Sequence, residues 1–208
     1  MTVVYRMVAG LLGWFALALQ YGLVMAGSIG PSAIPRTINF FSYFTILTNI
    51  LAALALTLPG LAPQSALAQF FMRPAVRTAI TAYIIIVIAI VYFVLRHLTN
   101  LQGWNFVADV ILHYVMPILF LVDWLFLVPK KTLKLTDGFA WLAFPVIYLI
   151  WTFIHGAYSG FYPYPFLNVG ELGIARVLMN EAGLLVIFLI LGLALVTGGR
   201  LIDRAFGD

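Results

Sequence analysis

The sequence contains no cysteine, and only 9% of its 208 residues are charged. The absence of cysteine excludes disulfides, thiolate nucleophiles and thiolate metal sites. So few charges cannot keep a soluble or a disordered chain in water. Hydrophobic residues make up 64% of the chain, and the mean hydropathy is +1.09. This composition predicts an all-α protein that crosses a membrane several times.

Long apolar runs indicate six membrane-spanning helices, because each such helix needs about 20 apolar residues. The runs cover approximately Val4–Ala26, Ile38–Leu58, Val76–His97, Trp104–Val128, Gly138–His155 and Ile174–Thr197. The tails and loops leave too little chain for a second domain, so we expect residues 1–208 to form one bundle. The first run lacks a small-residue cleavage site and is expected to be a retained helix, not a signal peptide.

The positive charges predict the orientation of this bundle, because cytoplasmic loops carry an excess of Lys and Arg. Eight of the eleven basic residues fall on the side of both termini: Arg6, Arg73, Arg77, Lys130, Lys131, Lys134, Arg200 and Arg204. The other side holds Arg36, Arg96 and Arg176. We therefore expect both termini in the cytoplasm. The basic residues are scattered over several loop ends, which argues against a nucleic-acid partner.

The loop after the fifth run, residues 157–173, contains an aromatic and proline-rich segment from Tyr158 to Phe166. Such a segment is typical of the headgroup level of a bilayer. Two interpretations stay open, an aromatic belt and a lid over a cavity that lipids enter. The helical prolines Pro117 and Pro145 do not occupy matching positions of two halves, which argues against an inverted-repeat transporter.

Ionisable and polar groups inside a bilayer are costly and are therefore candidates for function. These candidates are Asp109, His113 and Asp123 in the fourth run, His155 in the fifth, Glu181 in the sixth, and Thr45, Thr48 and Asn49 in the second. Counted at 1.5 Å per helical residue, all but Asp123 lie in the outer half of the bundle. Arg96, His97 and Asn180 arrive at the same level. The convergence predicts one polar site there.

The fourth run carries a pair of residues suited to acid–base chemistry. Asp109 and His113 are four residues apart and share a helix face, so the carboxylate can bind one imidazole nitrogen and leave the other for a substrate. Pro117 cannot donate to the carbonyl of His113, and we expect the helix to kink there. The alternative for His113 is a buried side chain bonded to a neighbouring helix.

The second run carries Thr45, Thr48 and Asn49 on one face. Threonine in a membrane helix usually bonds its own i−4 carbonyl. It becomes a nucleophile only where a base reaches it. The depth of His113 allows that contact, and Thr48 lies close enough to compete with Thr45.

Asp123 and Glu181 can also be explained by structural roles. For Asp123 we expect an ion pair with a Lys or an Arg. For Glu181, a structural pair with Arg176 and a substrate-gating role both stay open. Three histidines without cysteine do not indicate a metal site, and the sequence has no phosphate-binding loop or other cofactor motif.

Four short patches together resemble the family of androgen-induced and androgen-dependent membrane hydrolases. They are Tyr43-Phe-Thr45-Ile, Asp109-x-x-x-His113 followed by Pro117, Tyr148-x-x-Trp151, and Gly160-Phe-Tyr-Pro-Tyr164-Pro-Phe-Leu167. The last patch is the most specific, and the similarity in topology covers most of the chain. Members of that family have six spans and hydrolyse fatty acid esters of hydroxy fatty acids with a threonine nucleophile and a histidine.

The resemblance implies that Thr45 is the nucleophile and His113 the catalytic histidine. From its spacing to His113 we expect Asp109 to hold the imidazole tautomer, as the third member of a triad does. Candidates for binding the substrate or its oxyanion are Asn49, Arg96, His155, Asn180, Glu181 and Tyr164. The expected partner is then a lipid from the bilayer, without cofactor or metal. We expect a distant bacterial branch of the family, located in the inner membrane.

Two other functions fit the same residues. A lipid or small-molecule carrier would bind a headgroup in the polar cluster and use Glu181 with Asp109 to handle protons. A structural or assembly protein would need the cluster for stability alone. Replacement of Thr45 by alanine distinguishes them, because it abolishes an esterase, weakens a carrier and changes only the abundance of a structural protein. The oligomeric state stays open.

Overall fold

The computed structural model describes residues 1–27, 32–98 and 100–206, and it is 84% helical with no strand in these ranges. Six helices are long and apolar enough to cross a bilayer, and they are called spans 1 to 6 below. They are Thr2–Ala26, Phe44–Leu61, Pro74–Leu95, Gly103–Leu127, Leu135–Ser159 and Ile174–Ala205. The predicted all-α fold with six spans is confirmed, and the protein is a multi-pass membrane protein.

The individual helices are numbered in chain order. Span 1 is α1 (Thr2–Ala26), and span 2 is α3 (Phe44–Leu61), between the short helices α2 (Ala33–Phe41) and α4 (Ala66–Met72). Span 3 joins α5 (Pro74–Ile90) to a π-helical turn (Val91–Leu95), and span 4 joins α6 (Gly103–Val110), a π-helical turn (Ile111–Val115) and α7 (Met116–Leu127). Span 5 contains α8 (Leu135–Ala140) and α9 (Ala143–Ser159). A 3-10 turn (Pro165–Leu167) and α10 (Val169–Leu172) precede α11 (Ile174–Phe206), which extends past the expected end at Thr197.

The expected start of the second span at Ile38 is wrong. The helix α2 stops at Ser42, whose hydroxyl donates to the carbonyl of Ile38 over 2.8 Å. Tyr43 is extended, with φ −81° and ψ 128°, and α3 begins at Phe44. Thr45 consequently lies in the first turn of a helix, where backbone N–H groups have no partner within the helix.

Pro145 explains a break in span 5. Proline has no N–H for the carbonyl four residues before it, which here is that of Trp141. The hydroxyl of Tyr83 in span 3 donates to this carbonyl over 2.7 Å. The helix then continues to Ser159 and not, as expected, to His155.

Pro117 is accommodated by the π-helical turn Ile111–Val115 of span 4. The N–H of Met116 donates to the first carbonyl of this turn. The carbonyl of Leu112 is left without a helical donor, because the next position in that register is Pro117. The side-chain amide of Asn49 in span 2 donates to it over 3.1 Å. The helical distortion that we expected at Pro117 is therefore a π-helical turn.

Pro59 frees the carbonyl of Ala55 in the same way, and Nη1 of Arg77 donates to it over 2.8 Å. The Arg77 side chain is 2% exposed and its Nη2 lies 2.5 Å from Oδ2 of Asp123, which is fully buried. Arg6 binds the other carboxylate oxygen, with Nε 2.6 Å from Oδ1. The predicted ion pair of Asp123 with arginine is confirmed, and it joins spans 1, 2, 3 and 4.

Replacement of Asp123 by alanine should strongly destabilise the bundle. The change leaves the buried guanidinium of Arg77 without a counter-charge, and breaking a buried pair in this way costs about 3–5 kcal/mol. Chemical denaturation of the detergent-solubilised protein measures the loss. Glu171→Ala is the matched control, because Glu171 is an exposed acid in α10. Equal unfolding free energies for the two variants would contradict the stabilising role of the ion pair.

Candidate functional site

A narrow crevice lies between spans 2, 3, 5 and 6 and the segment 164–167. Its empty volume, counted together with the open space at its mouth, is about 490 Å³. Eleven of its fifteen lining residues are apolar. The four polar lining residues are Thr45, Tyr148, Tyr164 and Glu181. A concave apolar surface with a few polar groups is the usual form of a ligand site, and here it suits an acyl chain with one polar group.

Thr45 and Tyr164 are in direct contact in this crevice. The Thr45 hydroxyl lies 3.3 Å from the Tyr164 hydroxyl, and the Thr45 backbone N–H donates to the same phenol oxygen over 3.3 Å. The Tyr164 ring stacks on Phe166, with ring centroids 5.3 Å apart, and meets Tyr43 edge-on at 5.7 Å. The aromatic segment therefore covers Thr45 as a lid would, although Tyr158 at its start is 89% exposed.

Glu181 and Tyr148 each bring a buried polar atom to this region without a hydrogen-bond partner among the described residues. These atoms are Oε1 of Glu181 and the hydroxyl of Tyr148. Glu181 is 6% exposed, and within the described ranges it forms no ion pair with Arg176, so the structural Arg–Glu pair is wrong. Such unpaired groups need an explanation, and a ligand group or a water molecule provides one.

Tyr148 is a site residue that sequence reasoning missed. A tyrosine in an apolar span reads as a core residue, because its ring packs like that of phenylalanine. The available signal was its hydroxyl, which needs a hydrogen-bond partner when it is buried.

Asp109 and His113 form the pair expected from their spacing. Nδ1 of His113 lies 2.8 Å from Oδ1 of Asp109 and 3.1 Å from the Asp109 carbonyl oxygen. Both side chains are partly buried, at 26% and 19% exposure. Nε2 of His113 has no hydrogen bond to any described residue, and it is the nitrogen free to accept a proton.

His113 does not line the crevice, and within the described part of the chain no hydrogen bond joins it to Thr45, whose hydroxyl pairs with Tyr164. Asn49 nevertheless links their helical turns. Its Nδ2 donates to the carbonyl of Thr45 over 2.9 Å and to that of Leu112, the residue before His113, over 3.1 Å. Both amide N–H groups are thereby used, so Asn49 positions these turns and has no N–H left for a substrate.

Thr48 does not line the crevice. It is fully buried, and its hydroxyl donates to the carbonyl of Phe44 over 2.7 Å, the usual bond of threonine in a membrane helix. Of the two threonines considered as nucleophiles, Thr45 is the one at the crevice.

Three further predicted binding residues lie outside the crevice. Asn180 donates to the carbonyl of Phe166 over 2.9 Å. Nε2 of His155 lies 2.9 Å from Oδ1 of Asn39. Arg96 lies one residue past the end of span 3 and is exposed, with its guanidinium 3.9 Å from the centre of the Tyr92 ring. The described residues contain no group of three or more His, Asp or Glu side chains that could hold a metal ion.

Comparisons of this chain with protein-family models, curated proteins and solved structures find no match. The resemblance to the membrane hydrolases rests on the four sequence patches, and the candidate site rests on the geometry of the crevice and of the Asp109–His113 pair.

Replacement of Tyr164 by phenylalanine tests whether burial raises the pKa of the Tyr164 phenol, through the pH dependence of the unfolding free energy. Burial raises the pKa of Tyr164 from 10.0 to about 12, so its protonated form contributes stability that is complete below pH 10 and lost as the pH rises through 12. A rise of this size corresponds to roughly 2–3 kcal/mol. Between pH 9 and pH 12.5, the unfolding free energy of the wild type should fall by about this amount more than that of Tyr164→Phe.

Denaturant unfolding in detergent across this pH range provides the measurement. Tyr158→Phe is the matched control, because it removes the same hydroxyl group from an exposed tyrosine. Parallel pH profiles for the wild type and Tyr164→Phe would show that the phenol titrates normally and would contradict the raised pKa.

Proposed function

We propose that this protein is an integral-membrane hydrolase of fatty-acyl esters, with Thr45 as the nucleophile. The observation that carries the proposal is the contact of the Thr45 hydroxyl with the phenol of Tyr164, at a crevice whose other polar lining residues are Tyr148 and Glu181. The crevice accepts the acyl chain of a lipid from the bilayer, and the polar groups hold its ester. The family resemblance points to fatty acid esters of hydroxy fatty acids as a substrate class.

The proposed reaction proceeds through an acyl-enzyme. The Thr45 oxygen bonds to the ester carbonyl carbon while Nε2 of His113 takes the hydroxyl proton. The bond to the alcohol breaks, and the alcohol leaves with that proton. Water then attacks the acyl-threonine while His113 takes a proton from it. The bond from the acyl carbon to the Thr45 oxygen breaks, His113 returns the proton to that oxygen, and the fatty acid is released. Asp109 orients the imidazole through Nδ1.

The nucleophile and the base must approach each other for this reaction. The Thr45 hydroxyl exchanges its bond to Tyr164 for one to His113 when the substrate enters, a tightening that is common on going from a free to a bound active site. Two features support this step. Asn49 already ties the two helical turns together, and the helical distortion at Pro117 lies directly beside His113.

The phenols are the proposed donors to the developing oxyanion. The Tyr148 hydroxyl has no partner among the described residues, and the Tyr164 hydroxyl is released when Thr45 turns to His113. Donors placed in advance in a site that excludes water stabilise such a charge more strongly than water does.

We also infer that both termini lie in the cytoplasm of a bacterium and that the site opens toward the outer face of the inner membrane. The distribution of eight basic residues on one side and three on the other supports the orientation. The proposed chemistry requires neither a metal nor a cofactor, since Thr45, His113 and water supply every bond and proton.

A lipid carrier is the second candidate, and one observation favours it. In the described residues the Thr45 hydroxyl pairs with Tyr164 and not with a base, which is sufficient for binding a lipid but not for attacking it.

Replacement of Thr45 by alanine should abolish ester hydrolysis while the protein still folds. We expect kcat/KM for a long-chain acyl ester to fall by at least about a thousandfold, since the attacking oxygen is lost. Thr45→Ser keeps a hydroxyl and should retain measurable activity. The assay follows release of the fatty acid by purified protein in detergent, with a thermal melt of each variant as the folding check.

Thr48→Ala is the matched control and should hydrolyse like the wild type, because its hydroxyl bonds a helix carbonyl. His113→Ala should lose activity to an extent similar to Thr45→Ala. Undiminished hydrolysis by folded Thr45→Ala would refute the proposal. Tight lipid binding without hydrolysis by the wild type would establish the carrier instead.

A further inference from the structure

A second concave surface lies on the outside of the bundle, where α2 and span 2 meet span 5. Aromatic and aliphatic side chains alone line this groove: Phe41, Leu47, Phe144, Ile147, Tyr148 and Trp151. Its empty volume, counted together with the open space beside it, is about 600 Å³. Ile147 is 64% and Trp151 42% exposed, and both belong to a membrane-spanning helix. The groove therefore adjoins the lipid chains of the bilayer and offers an apolar surface to one of them.

The groove and the crevice are neighbours that share one residue, Tyr148. Its ring meets that of Phe44, a crevice residue, edge-on with centroids 5.1 Å apart. The ring of Phe144, a groove residue, lies 5.3 Å from that of Phe44. Aromatic contacts thus separate two apolar spaces. The residue that both spaces share carries a buried hydroxyl group without a hydrogen-bond partner among the described residues.

This arrangement has the polarity of an ester with a long chain on each side. Such a lipid has its polar atoms in the middle, and its ester oxygens only accept hydrogen bonds. The Tyr148 hydroxyl can donate one to them, and the candidate nucleophile Thr45 lines the same crevice. An ester of a short alcohol fills the crevice alone and has no chain for the groove.

We propose that the groove holds the alcohol-side chain of the ester whose acyl chain occupies the crevice, so that the protein accepts esters with two long chains. The lipid passes beside the Tyr148 ring, where its edge contact with Phe44 opens. Fatty acid esters of hydroxy fatty acids belong to this two-chain class. The inference rests on the proposed function for the assignment of the chains, because only attack by Thr45 distinguishes an acyl side from an alcohol side.

The groove provides room for the second chain and little affinity, since the surrounding lipid chains are as apolar as its walls. The consequence is a tolerance for long alcohols that is lost when the groove is filled. It also follows that a chain bound through the crevice reaches the groove only if the ligand has a second chain.

Photolabelling with ketones tests the two-chain site without catalysis, because a ketone carbonyl accepts hydrogen bonds like an ester and is not hydrolysed. One probe has a long alkyl chain on each side of the carbonyl and a diazirine in one of them. The other probe is the methyl ketone of the same diazirine chain. Each labels the protein in detergent, and peptide mass spectrometry locates the adducts that an excess of the unlabelled two-chain ketone displaces.

We expect displaceable adducts of the two-chain ketone at residues 184–188 of the crevice and around Ile147 in the groove, since either chain can enter either space. The methyl ketone should label the crevice and give at least about tenfold fewer such adducts in the groove, a difference of about 1.4 kcal/mol. Displaceable labelling confined to the crevice would overturn the proposal. Equal groove labelling by both probes would also overturn it, because the groove would then bind chains independently of the crevice.

Filling the groove gives the arm that depends on hydrolysis. The measured quantity is kcat/KM for a long-chain alcohol ester divided by kcat/KM for the methyl ester of the same acid. Ile147→Trp should lower this ratio at least about tenfold, a difference of about 1.4 kcal/mol. The matched control is Ile190→Trp, which changes an isoleucine of span 6 that is 62% exposed and lines neither space, and it should keep the wild-type ratio.

The two arms fail separately. If no ester is hydrolysed but the two-chain ketone labels both spaces as expected, the hydrolase proposal fails and the two-chain site stands. If esters are hydrolysed but folded Ile147→Trp keeps the wild-type ratio, the hydrolase stands and the role of the groove fails. The comparison of the two ketones on the wild type needs no variant to fold.

Discussion

A backbone carbonyl that proline deprives of its helical donor needs another donor inside the membrane, because lipid chains supply none. Three prolines within the spans each free one carbonyl. Side chains of a neighbouring span donate a hydrogen bond to each of these carbonyls, namely those of Arg77, Tyr83 and Asn49. These bonds fix spans 2, 3, 4 and 5 against one another. Asn49 also binds the carbonyl of Thr45, so the same constraint sets the position of the candidate nucleophile.

Two groups of polar side chains in the bundle differ in how far they satisfy each other. The ion pairs of Asp123 with Arg6 and Arg77 join spans 1, 3 and 4 at one end, and the charges in them neutralise each other. The crevice holds groups that do not satisfy each other fully, among them Glu181 and Tyr148. Paired charges stabilise a fold, whereas unpaired buried polar atoms need a further partner, such as a ligand group or a water molecule. This contrast is the reason for treating the crevice as the candidate site.

Composition and spacing predicted the parts of this structure that depend on local rules. Apolar run length predicted the six spans, and the interval of four residues predicted the pair of Asp109 and His113. The break before Phe44 was not predictable, because neither proline nor glycine marks it. Depth along a helix also says nothing about the direction of a side chain around the helix axis. For that reason Asp109, His113, Arg96 and His155 were expected at one site but do not line the crevice.

Peptide mass spectrometry after reaction with a long-chain alkyl fluorophosphonate tests the role of Thr45 most directly. This reagent modifies any activated hydroxyl that it reaches, whatever the natural substrate is. We expect a single adduct, on Thr45, that is missing when His113 is replaced by alanine. An adduct on Thr48 or on another hydroxyl, or the absence of any adduct on folded wild-type protein, would contradict the assignment of Thr45 as the nucleophile.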